Sequence, residues 1–365
     1  MEQSHRMDSA IRIHKALLPL SWFYGAVTAL RNYLFDRNIL RSESFPVPVI
    51  SIGNLSVGGT GKTPHTEYLI RLLSKKHKVA VLSRGYKRRT QGFVMADKNA
   101  SARTLGDEPF QMFRKFPEIP VAVDSNRRRG IHCLLNLSDD KKPEVILLDD
   151  AFQHRYVKPS LSILLSDFRR PFHDDYLLPA GRLREAAKNY RRADILIFTK
   201  CPTAHIPHPV LDKPLFHTTF RYKSLLPVFP AVSSIQKESL ERLKKEKYAF
   251  LLVAGLANPS DLVRYLKQYT EDLHTIIFPD HHNFSHKNIV KIAKSFQDIQ
   301  SSRKIIITSE KDAARLTSYH ATPEGLKKFM YYLPVEVIFH AGEEELFIQK
   351  IEFHVKNFAR NRIMA

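Results

Sequence analysis

Residues Gly53 to Pro64 read G-N-L-S-V-G-G-T-G-K-T-P and lie between a β-rich run and a helical pattern. Glycines in such a loop let backbone N–H groups point inward at phosphate oxygens, while Lys62 reaches the β and γ oxygens and the Thr63 hydroxyl binds Mg²⁺. The positive end of the following helix adds to the attraction for anions. The order of strand, loop, Lys-Thr and helix predicts an ATP site made by Ser56, Val57, Gly58, Gly59, Thr60, Gly61, Lys62 and Thr63.

One position departs from the strict G-x-x-x-x-G-K-[ST] pattern of a P-loop. Ser56 stands where the first glycine belongs. Only glycine adopts a positive φ without strain, so the loop must open without a left-handed residue at this position. Since the rest of the pattern is intact, the prediction of a P-loop stands.

A P-loop enzyme also needs an acid that holds the metal or its water. The segment Glu144 to Asp150, E-V-I-L-L-D-D, predicts a buried strand that ends in two carboxylates. An aspartate at a strand end often only caps the next turn. Together with the loop, however, Asp149 or Asp150 fits the acid of a magnesium site.

Short β-rich runs alternate with helical patterns along the whole chain. Continuous apolar strands separated by helices predict a parallel sheet that is covered on both faces. The first set of strands is predicted at Val47 to Ile52, Val79 to Ser83, Ile119 to Val123, Val145 to Asp149, Leu161 to Ser166 and Ile195 to Thr199. A Pro- and His-rich stretch at 202–214 marks a boundary. A second set follows at Phe250 to Ala254, Thr275 to Phe278, Lys304 to Thr308 and Val335 to Phe339, with helices at Pro259 to Tyr269 and Ser285 to Phe296.

The fold class is therefore α/β, with a P-loop NTPase-like parallel sheet domain and a second, smaller α/β domain. The predicted boundaries are 1–35 for an N-terminal helix, 36–205 for the P-loop domain, 206–339 for the second domain with linker strands, and 340–365 for a C-terminal helix. Leu215 to Tyr222 and Met330 to Phe339 are candidates for a two-stranded connection between the domains.

The N-terminal run from Ala16 to Leu30 is apolar and flanked by basic residues. It is shorter than the roughly 20 residues that cross a bilayer, and Pro19 interrupts it. Trp22, Phe23 and Tyr24 are residues that settle at the headgroup level. This pattern predicts a helix that lies on or inserts shallowly into a membrane. The alternative is a helix that packs on the protein's own core.

The charge balance supports an anionic partner. The chain has 57 Lys and Arg against 37 Asp and Glu, a net charge of +20. Such a surface attracts polyanions. Basic clusters occur at Arg84 to Arg89, Arg127 to Arg129 and Arg182 to Arg192. They lack the interleaved aromatic residues of a strand-binding platform, so nucleic acid is not expected. A phosphate-rich small substrate or an anionic membrane surface fits better.

Several further strings make the chain resemble the tetraacyldisaccharide 4'-kinases, also called lipid A 4'-kinases. They are V-G-G-T-G-K-T-P (Val57 to Pro64), L-S-R-G-Y (Leu82 to Tyr86), G-D-E-P (Gly106 to Pro109), L-D-D-A-F-Q-H (Leu148 to His154), L-P-A-G-R-L-R-E (Leu178 to Glu185), A-G-L-A-N-P (Ala254 to Pro259), F-P-D-H-H (Phe278 to His282) and T-S-E-K-D-A-A-R-L (Thr308 to Leu316). The resemblance covers most of the chain. Two positions differ from the family pattern, because Ala151 replaces a glycine and His282 extends the Asp-His pair.

The resemblance implies transfer of the γ-phosphate of ATP to the 4'-hydroxyl of an acylated glucosamine disaccharide 1-phosphate. It also implies a monomeric, peripheral or monotopic protein at the cytoplasmic face of the bacterial inner membrane. The two α/β domains would enclose a cleft and be joined by a short two-stranded linker.

Roles for individual residues follow from the resemblance. Thr63, Asp149, Asp150 and Glu185 would surround Mg²⁺ or the phosphates, and Arg84 and Arg184 would hold phosphates beside Lys62. Asp107 would be the catalytic base and His281 its partner from the second domain. From the residues alone, a helix N-cap is the favoured interpretation of Asp107, because Asp-Glu-Pro before an apolar stretch is a common helix entrance.

Two other functions remain open from the sequence. A membrane-associated P-loop NTPase switch would hydrolyse nucleotide without a lipid acceptor and would not need Asp107. A nucleic-acid-binding ATPase would show affinity that depends strongly on salt.

Overall fold

Two separate β-sheets organise the protein. The computed structural model describes residues 14–202, 211–233, 237–256, 258–280, 282–319 and 322–363. Within these residues, a nine-stranded sheet has the order β14-β8-β7-β6-β1-β5-β2-β4-β3 and a five-stranded sheet the order β11-β10-β12-β13-β9. The fold is thus mixed α/β with a large, mainly parallel sheet.

The strands of the nine-stranded sheet are mostly buried on both faces, as their continuous apolar sequences require. β5, for example, has every residue from Val145 to Asp149 buried. β3 and β14 pair antiparallel at the two edges, and the strands between them run parallel. The strands are β1 Val49–Asn54, β2 Val79–Ser83, β3 Val94–Met95, β4 Val121–Val123, β5 Val145–Asp149, β6 Leu161–Asp167, β7 Ile195–Thr199, β8 Leu215–Tyr222 and β14 Val335–Phe339.

The five-stranded sheet contains three of the four strands predicted in the second set, whereas the fourth, Val335 to Phe339, belongs to the first sheet. Three of its four pairings are parallel, and only β9 runs antiparallel to β13. Its strands are β9 Leu226–Pro227, β10 Ala249–Ala254, β11 Leu273–Ile277, β12 Lys304–Ser309 and β13 Met330–Leu333.

The chain changes sheets at Pro334. Sequence analysis treated Met330 to Phe339 as one extended segment, and this is wrong in part: β13 belongs to the second sheet, whereas β14 pairs with β8 at the edge of the first. Proline has no N–H to donate to a ladder, so a strand is readily interrupted there. β8 also pairs with β7. Both β8 and β14 therefore extend the first sheet, although they lie beyond residue 205.

Helices cover the two sheets. They are α1 Leu18–Asp36, α2 Lys62–Leu73, α3 Ala102–Leu105, α4 Asp107–Lys115, α5 Arg127–Leu135, α6 Leu240–Lys245, α7 Ser260–Leu266, α8 His286–Asp298, α9 Glu310–Thr317, α10 Glu324–Lys327 and α11 Glu343–Ile363. α11 returns to the first sheet, where Phe347, Ile351 and Val355 join the core beside α2.

α1 packs with one side on the segment between β6 and β7 and leaves an apolar side open. Ser21 donates to the carbonyl of Leu177, and the Tyr24 hydroxyl donates to the carbonyl of Arg184. Apolar side chains on the other side are more than half exposed, among them Leu20, Trp22, Phe23, Val27 and Leu30. Among the described residues, no helix is both long and apolar enough to cross a bilayer.

Candidate active site

The loop between β1 and α2 has the backbone that a P-loop requires. Gly58 and Gly61 have φ values of +112° and +86°, and α2 begins at Lys62 with Gly61 as its N-cap. A side chain at Gly61 would also collide with the ring of Phe220. Both glycines are thus needed, one for the turn and the other for the turn and the close approach of β8.

The start of the loop is fixed by the segment that includes Arg182 and Leu183. The N–H of Val57 donates to the carbonyl of Arg182 at 2.8 Å, and Ser56 forms an isolated bridge with Leu183. Ser56 is buried and is not among the residues with positive φ. The loop therefore opens without a left-handed residue at this position, as its sequence predicted.

Lys62 lies at the centre of a polar cluster. Its Nζ donates to Asn54 Oδ1 at 3.3 Å and lies 3.5 Å from Asp150 Oδ1. Asn54 Nδ2 in turn donates to Thr60 Oγ1 at 2.9 Å. Thr63 follows Lys62 in the first turn of α2. The structure thus brings the predicted lysine and one predicted aspartate together.

The two aspartates at the end of β5 have opposite electrostatic environments. Asp149 is buried and accepts hydrogen bonds from Thr66 Oγ1 and Ser83 Oγ, both at 3.2 Å. Burial, with the nearby charge of Asp150, raises the pKa of Asp149 to about 6. An added cation would reverse this shift, because it favours the ionised carboxylate.

Burial also disfavours the ionised form of Asp150, but Lys62, Arg184 and Arg127 together hold its pKa below its usual value. Arg184 Nη1 donates to Asp150 Oδ1 at 3.0 Å. Asp150 has a φ of +48°, a left-handed conformation that a residue other than glycine adopts at some cost. Asp149 thus accepts from two hydroxyl groups, whereas Asp150 lies beside the cations of Lys62 and Arg184.

Glu185 lies in a different setting from the one that its predicted metal role requires. Its carboxylate accepts hydrogen bonds from Asn32 Nδ2 at 3.0 Å, Gln153 Nε2 at 3.1 Å, Asn189 Nδ2 at 2.8 Å and Arg192 Nη2 at 2.7 Å. Gln153 Oε1 also accepts from Arg184 Nη1 at 3.3 Å. Glu185 is therefore joined to Asp150 through Gln153 and Arg184.

Asp107 is the first residue of α4, and Gly106 occupies the N-cap position. The reading of Asp107 as an N-cap is thus wrong. Its Oδ2 accepts a hydrogen bond from Arg315 Nη2 at 2.8 Å. The next residue, Glu108, is close enough to Asp149 to contribute to its raised pKa. The candidate base consequently lies near the acid edge of the P-loop sheet.

The second sheet contributes a loop to the same region. Lys311 Nζ lies 2.8 Å from Glu108 Oε1 and 3.9 Å from Asp280 Oδ1. His281, the predicted partner of Asp107, lies outside the described residues. His282 stacks on Phe278 with ring centroids 4.4 Å apart, and its Nε2 is 2.9 Å from Asn288 Oδ1. His282 is thus engaged within the second sheet's own packing.

A basic cluster adjoins Asp150. Burial lowers the pKa of His154 to about 3, and the charges of Arg127, Arg31, Arg84 and Arg128 add to this shift. Burial and the charge of Arg84 lower the pKa of Arg127 to about 10. Arg127 Nε and His154 Nε2 are buried without a hydrogen-bond partner among the described residues. Several positive charges together with buried nitrogens that lack hydrogen-bond partners are typical of a site that binds an anion.

Sequence reasoning missed a cleft between β8 and α7. It has a volume of about 320 Å³ and is lined by Phe220, Arg221, Tyr222, Asp261, Arg264, Tyr265 and Gln268. The rings of Tyr222 and Tyr265 pack with centroids 4.4 Å apart. Since Phe220 also touches Gly61, the cleft borders the P-loop.

Two other residues that fix the loop escaped notice. His65 Nδ1 is 2.8 Å from the carbonyl of Gly61 and its Nε2 is 3.1 Å from Thr218 Oγ1, so it ties α2 to β8. Lys200 Nζ donates to the carbonyl of Gly59 at 2.5 Å and to Asp167 Oδ2 at 2.6 Å. The only signal for Lys200 was its place directly after a predicted strand.

Comparison with known proteins identifies similar chains over nearly the whole length. The model of the family described as tetraacyldisaccharide-1-P 4'-kinase (LpxK) matches residues 13–353. A tetraacyldisaccharide 4'-kinase from Bacteroides thetaiotaomicron is 49% identical over 364 residues, covering 96% of each chain. One from Porphyromonas gingivalis is 41% identical over 360 residues, covering 94% of this chain and 97% of the relative.

A solved structure is similar as well. The crystal structure of LpxK from Aquifex aeolicus in complex with ATP superposes with a TM-score of 0.74 at 31% sequence identity. The match covers 93% of this chain and 99% of that chain.

Proposed function

Since the chain belongs to the tetraacyldisaccharide-1-P 4'-kinase family, we propose that the γ-phosphate of ATP moves at the edge formed by Lys62, Asp149 and Asp150. The protein is an ATP-dependent kinase of lipid A biosynthesis, which phosphorylates the 4'-hydroxyl of a tetraacyldisaccharide 1-phosphate to form lipid IVA. The observation that carries the site proposal is the 3.5 Å contact between Lys62 Nζ and Asp150 at the mouth of the P-loop.

The P-loop residues 56–63 hold the triphosphate in this proposal. Inward backbone N–H groups and the N-terminus of α2 attract the phosphate oxygens, and Lys62 exchanges its contact with Asp150 for the γ-phosphate. Arg184 and Arg84 supply further positive charge beside them. Such fixed charges act mainly by neutralising the oxygens of the moving phosphoryl group.

Mg²⁺ fits the same edge. Thr63, Asp149 and Asp150 would hold it, and the raised pKa of the buried Asp149 supports this assignment because the charge of Lys62 does not offset the burial of this carboxyl, whereas a bound cation would. The ion would neutralise charge on the phosphate oxygens. To bind the metal, the Glu185 carboxylate would have to give up hydrogen bonds from the nitrogen donors that surround it. We therefore assign it to hold Gln153 and Arg184 in place behind the site.

The transfer itself requires a base for the sugar hydroxyl. The 4'-oxygen attacks the γ-phosphorus, the bond from that phosphorus to the β-bridging oxygen breaks, and ADP leaves. Asp107 accepts the hydroxyl proton. His281, next to Asp280, is proposed as its partner.

The basic cluster is proposed to bind the acceptor's own phosphate. Arg31, Arg84, Arg127 and Arg128 lie around His154, and two buried nitrogens there have no partner among the described residues. The neutral His154 imidazole can donate to or accept from a phosphate or hydroxyl. An acylated disaccharide 1-phosphate offers both groups.

We propose that the cleft beside Phe220 holds the adenine ring. Tyr222 and Tyr265 provide aromatic faces, and Asp261 and Gln268 provide hydrogen-bonding groups. Its position next to Gly61 is within reach of a nucleotide whose phosphates occupy the loop. Arg169 Nη1 donates to Asp261 Oδ2 at 2.7 Å, which joins α7 to the loop after β6.

The exposed side of α1 is proposed to lie in the membrane interface. Trp22 and Phe23 are 71% and 72% exposed, an unusual exposure for large apolar residues, which suits a monotopic contact. The proposed location is the cytoplasmic face of the inner membrane, with a monomeric enzyme of two domains. β8 and β14 would form the linker through which the chain enters and leaves the second domain.

Radiolabelled ATP and an acylated disaccharide 1-phosphate in detergent test the proposal. Wild type should label the lipid, and Lys62→Ala should lose most transfer because it removes a charge aimed at the phosphoryl group. Phosphate release that ignores the acceptor would support the switch reading instead. Near-normal transfer by Lys62→Ala would refute the site.

A further inference from the structure

A buried arginine of the second sheet reaches the candidate base. Arg315 lies on α9, and its Nη2 donates to Asp107 Oδ2 at 2.8 Å. The side chain of Arg315 is only 3% exposed and that of Asp107 14%. The two residues are 208 positions apart in sequence. A charge-assisted bond this well shielded is among the stronger polar contacts in a protein.

Arg315 is held firmly from its own side. Its Nη1 donates to Asp312 Oδ1 at 2.7 Å and to the carbonyl of Gly255 at 3.3 Å. Asp312 also accepts from the N–H of Gly255 at 2.9 Å and from Ser309 Oγ at 2.6 Å. These hydrogen bonds join the loop after β10 to α9 and hold the Arg315 side chain at the edge of the second sheet.

Arg315 keeps its positive charge although its side chain is buried. Burial works against a charged guanidinium, but Asp107, Asp312 and Glu108 raise the pKa of Arg315 above its usual value. Two carboxylates and a carbonyl accept from its terminal nitrogens, while Nε is buried without a hydrogen-bond partner among the described residues. With both terminal nitrogens engaged, Arg315 is better placed to orient Asp107 than to reach a phosphate.

We propose that Arg315 is a positioning residue for the phosphoryl transfer, which holds the Asp107 carboxylate in a fixed orientation. This inference rests on the proposed role of Asp107. Arg315 itself exchanges no proton. Phosphoryl transfer through a loose transition state depends mainly on positioning. The orientation of the base therefore matters more than its basicity. The base would then be in place only when the second sheet is seated against α4.

Arg315→Gln in the full chain tests the proposal by steady-state kinetics. We expect kcat to fall about tenfold to a hundredfold, while the KM for ATP stays within about twofold, because the P-loop is untouched. Arg315→Lys keeps a charge but cannot span both carboxylates, so we expect a smaller loss. An unchanged kcat in Arg315→Gln would overturn the proposal. If that variant does not melt cooperatively, a wild-type kcat in Arg315→Lys and in Arg315→Met would do the same.

Arg114→Gln is the matched control. Arg114 lies on α4, and it donates to Thr317 Oγ1 at 3.0 Å and to the carbonyl of Val228 at 3.4 Å, so it bridges the same elements without touching Asp107. We expect its kcat to stay within about threefold of wild type. Equal losses in the two variants would mean that loosening of the interface explains both, and the proposal would fail.

A double-mutant cycle decides whether Arg315 acts through Asp107. In an Asp107→Asn background, Arg315→Gln should cost less than about twofold more, because there is no carboxylate left to position. A full additional loss there would assign Arg315 another role. These outcomes are judged against an active wild type. If the wild type failed to label the lipid, that result would instead contradict the proposed function.

Discussion

Asn32 of α1 donates from Nδ2 to Glu185 Oε2 at 3.0 Å, and Glu185 is joined through Gln153 and Arg184 to Asp150. Asp150 in turn lies 3.5 Å from Lys62 Nζ. A continuous chain of polar contacts therefore runs from the N-terminal helix to the P-loop lysine. The exposed apolar side of the helix and the phosphate site are parts of one connected structure.

Asn32→Ala should lower the free energy of unfolding by about 1–3 kcal/mol, because it removes a donor from the buried Glu185 carboxylate and an acceptor from Arg155 and Arg192. Denaturant unfolding measures the change. Thr28→Ala is the control, since among the described residues the Thr28 hydroxyl bonds only within α1, to the carbonyl of Gly25 at 3.0 Å. Equal effects of the two substitutions would show that the contact with Glu185 adds no stability.

The raised pKa of Asp149 predicts a conflict between stability and activity. Folding raises this pKa to about 6 from an ordinary 3.8, so the folded state binds the proton more tightly than the unfolded state. Above pH 6 the ionised, buried carboxylate destabilises the metal-free protein by about 3 kcal/mol. The penalty shrinks as the pH falls from 6 towards 4, where the carboxyl is protonated in the folded protein.

Asp149→Asn should therefore raise the melting temperature of the metal-free protein at pH 8 and have little effect near pH 4. The same variant should lose most phosphoryl transfer, because the metal edge loses a charge. Thermal melts across this pH range, with wild type as reference, measure the difference. A variant less stable than wild type at pH 8 would contradict the prediction.

Sequence reasoning succeeded where the determinants are local. The order of Gly58, Gly61, Lys62 and Thr63 after an apolar run was sufficient to place the P-loop on the correct strand and helix. The buried strand β5 and its terminal aspartates could equally be predicted from the sequence. Each of these features depends on residues within about ten positions of one another.

Long-range relationships could not be read in the same way. Asp107 and Arg315 form a hydrogen bond although they are 208 positions apart, and no local sequence pattern predicts that pairing. The left-handed φ of Asp150 is imposed by its surroundings, since its residue type does not require it. The division at Pro334 was missed because β13 and β14 follow one another directly in sequence, and only long-range pairing decides which sheet each one joins.

The cleft beside the P-loop predicts a specific kinetic effect. Tyr265→Ala should raise the KM for ATP about threefold to tenfold with little change in kcat, because a lost aromatic face weakens binding of the base and not of the phosphates. Inorganic tripolyphosphate, which has no base, should compete with ATP at the same concentration in wild type and variant after correction for the changed KM. A variant with an unaltered KM for ATP would place the adenine elsewhere.

The exposed side of α1 predicts a selective loss of membrane contact. Trp22 and Phe23 are largely exposed and make up much of its apolar surface, so Trp22→Ser with Phe23→Ser should reduce sedimentation with anionic vesicles several-fold. Folding should be unaffected, because neither side chain belongs to the core, and ATP-dependent transfer to a substrate dissolved in detergent should stay within about threefold of wild type. Exposed Tyr86, which lies in the turn after β2, provides the control as Tyr86→Ser in the sedimentation assay. If the double variant still pelleted with vesicles as fully as wild type, the apolar side of α1 would have to serve another partner, and the basic surface alone would account for membrane binding.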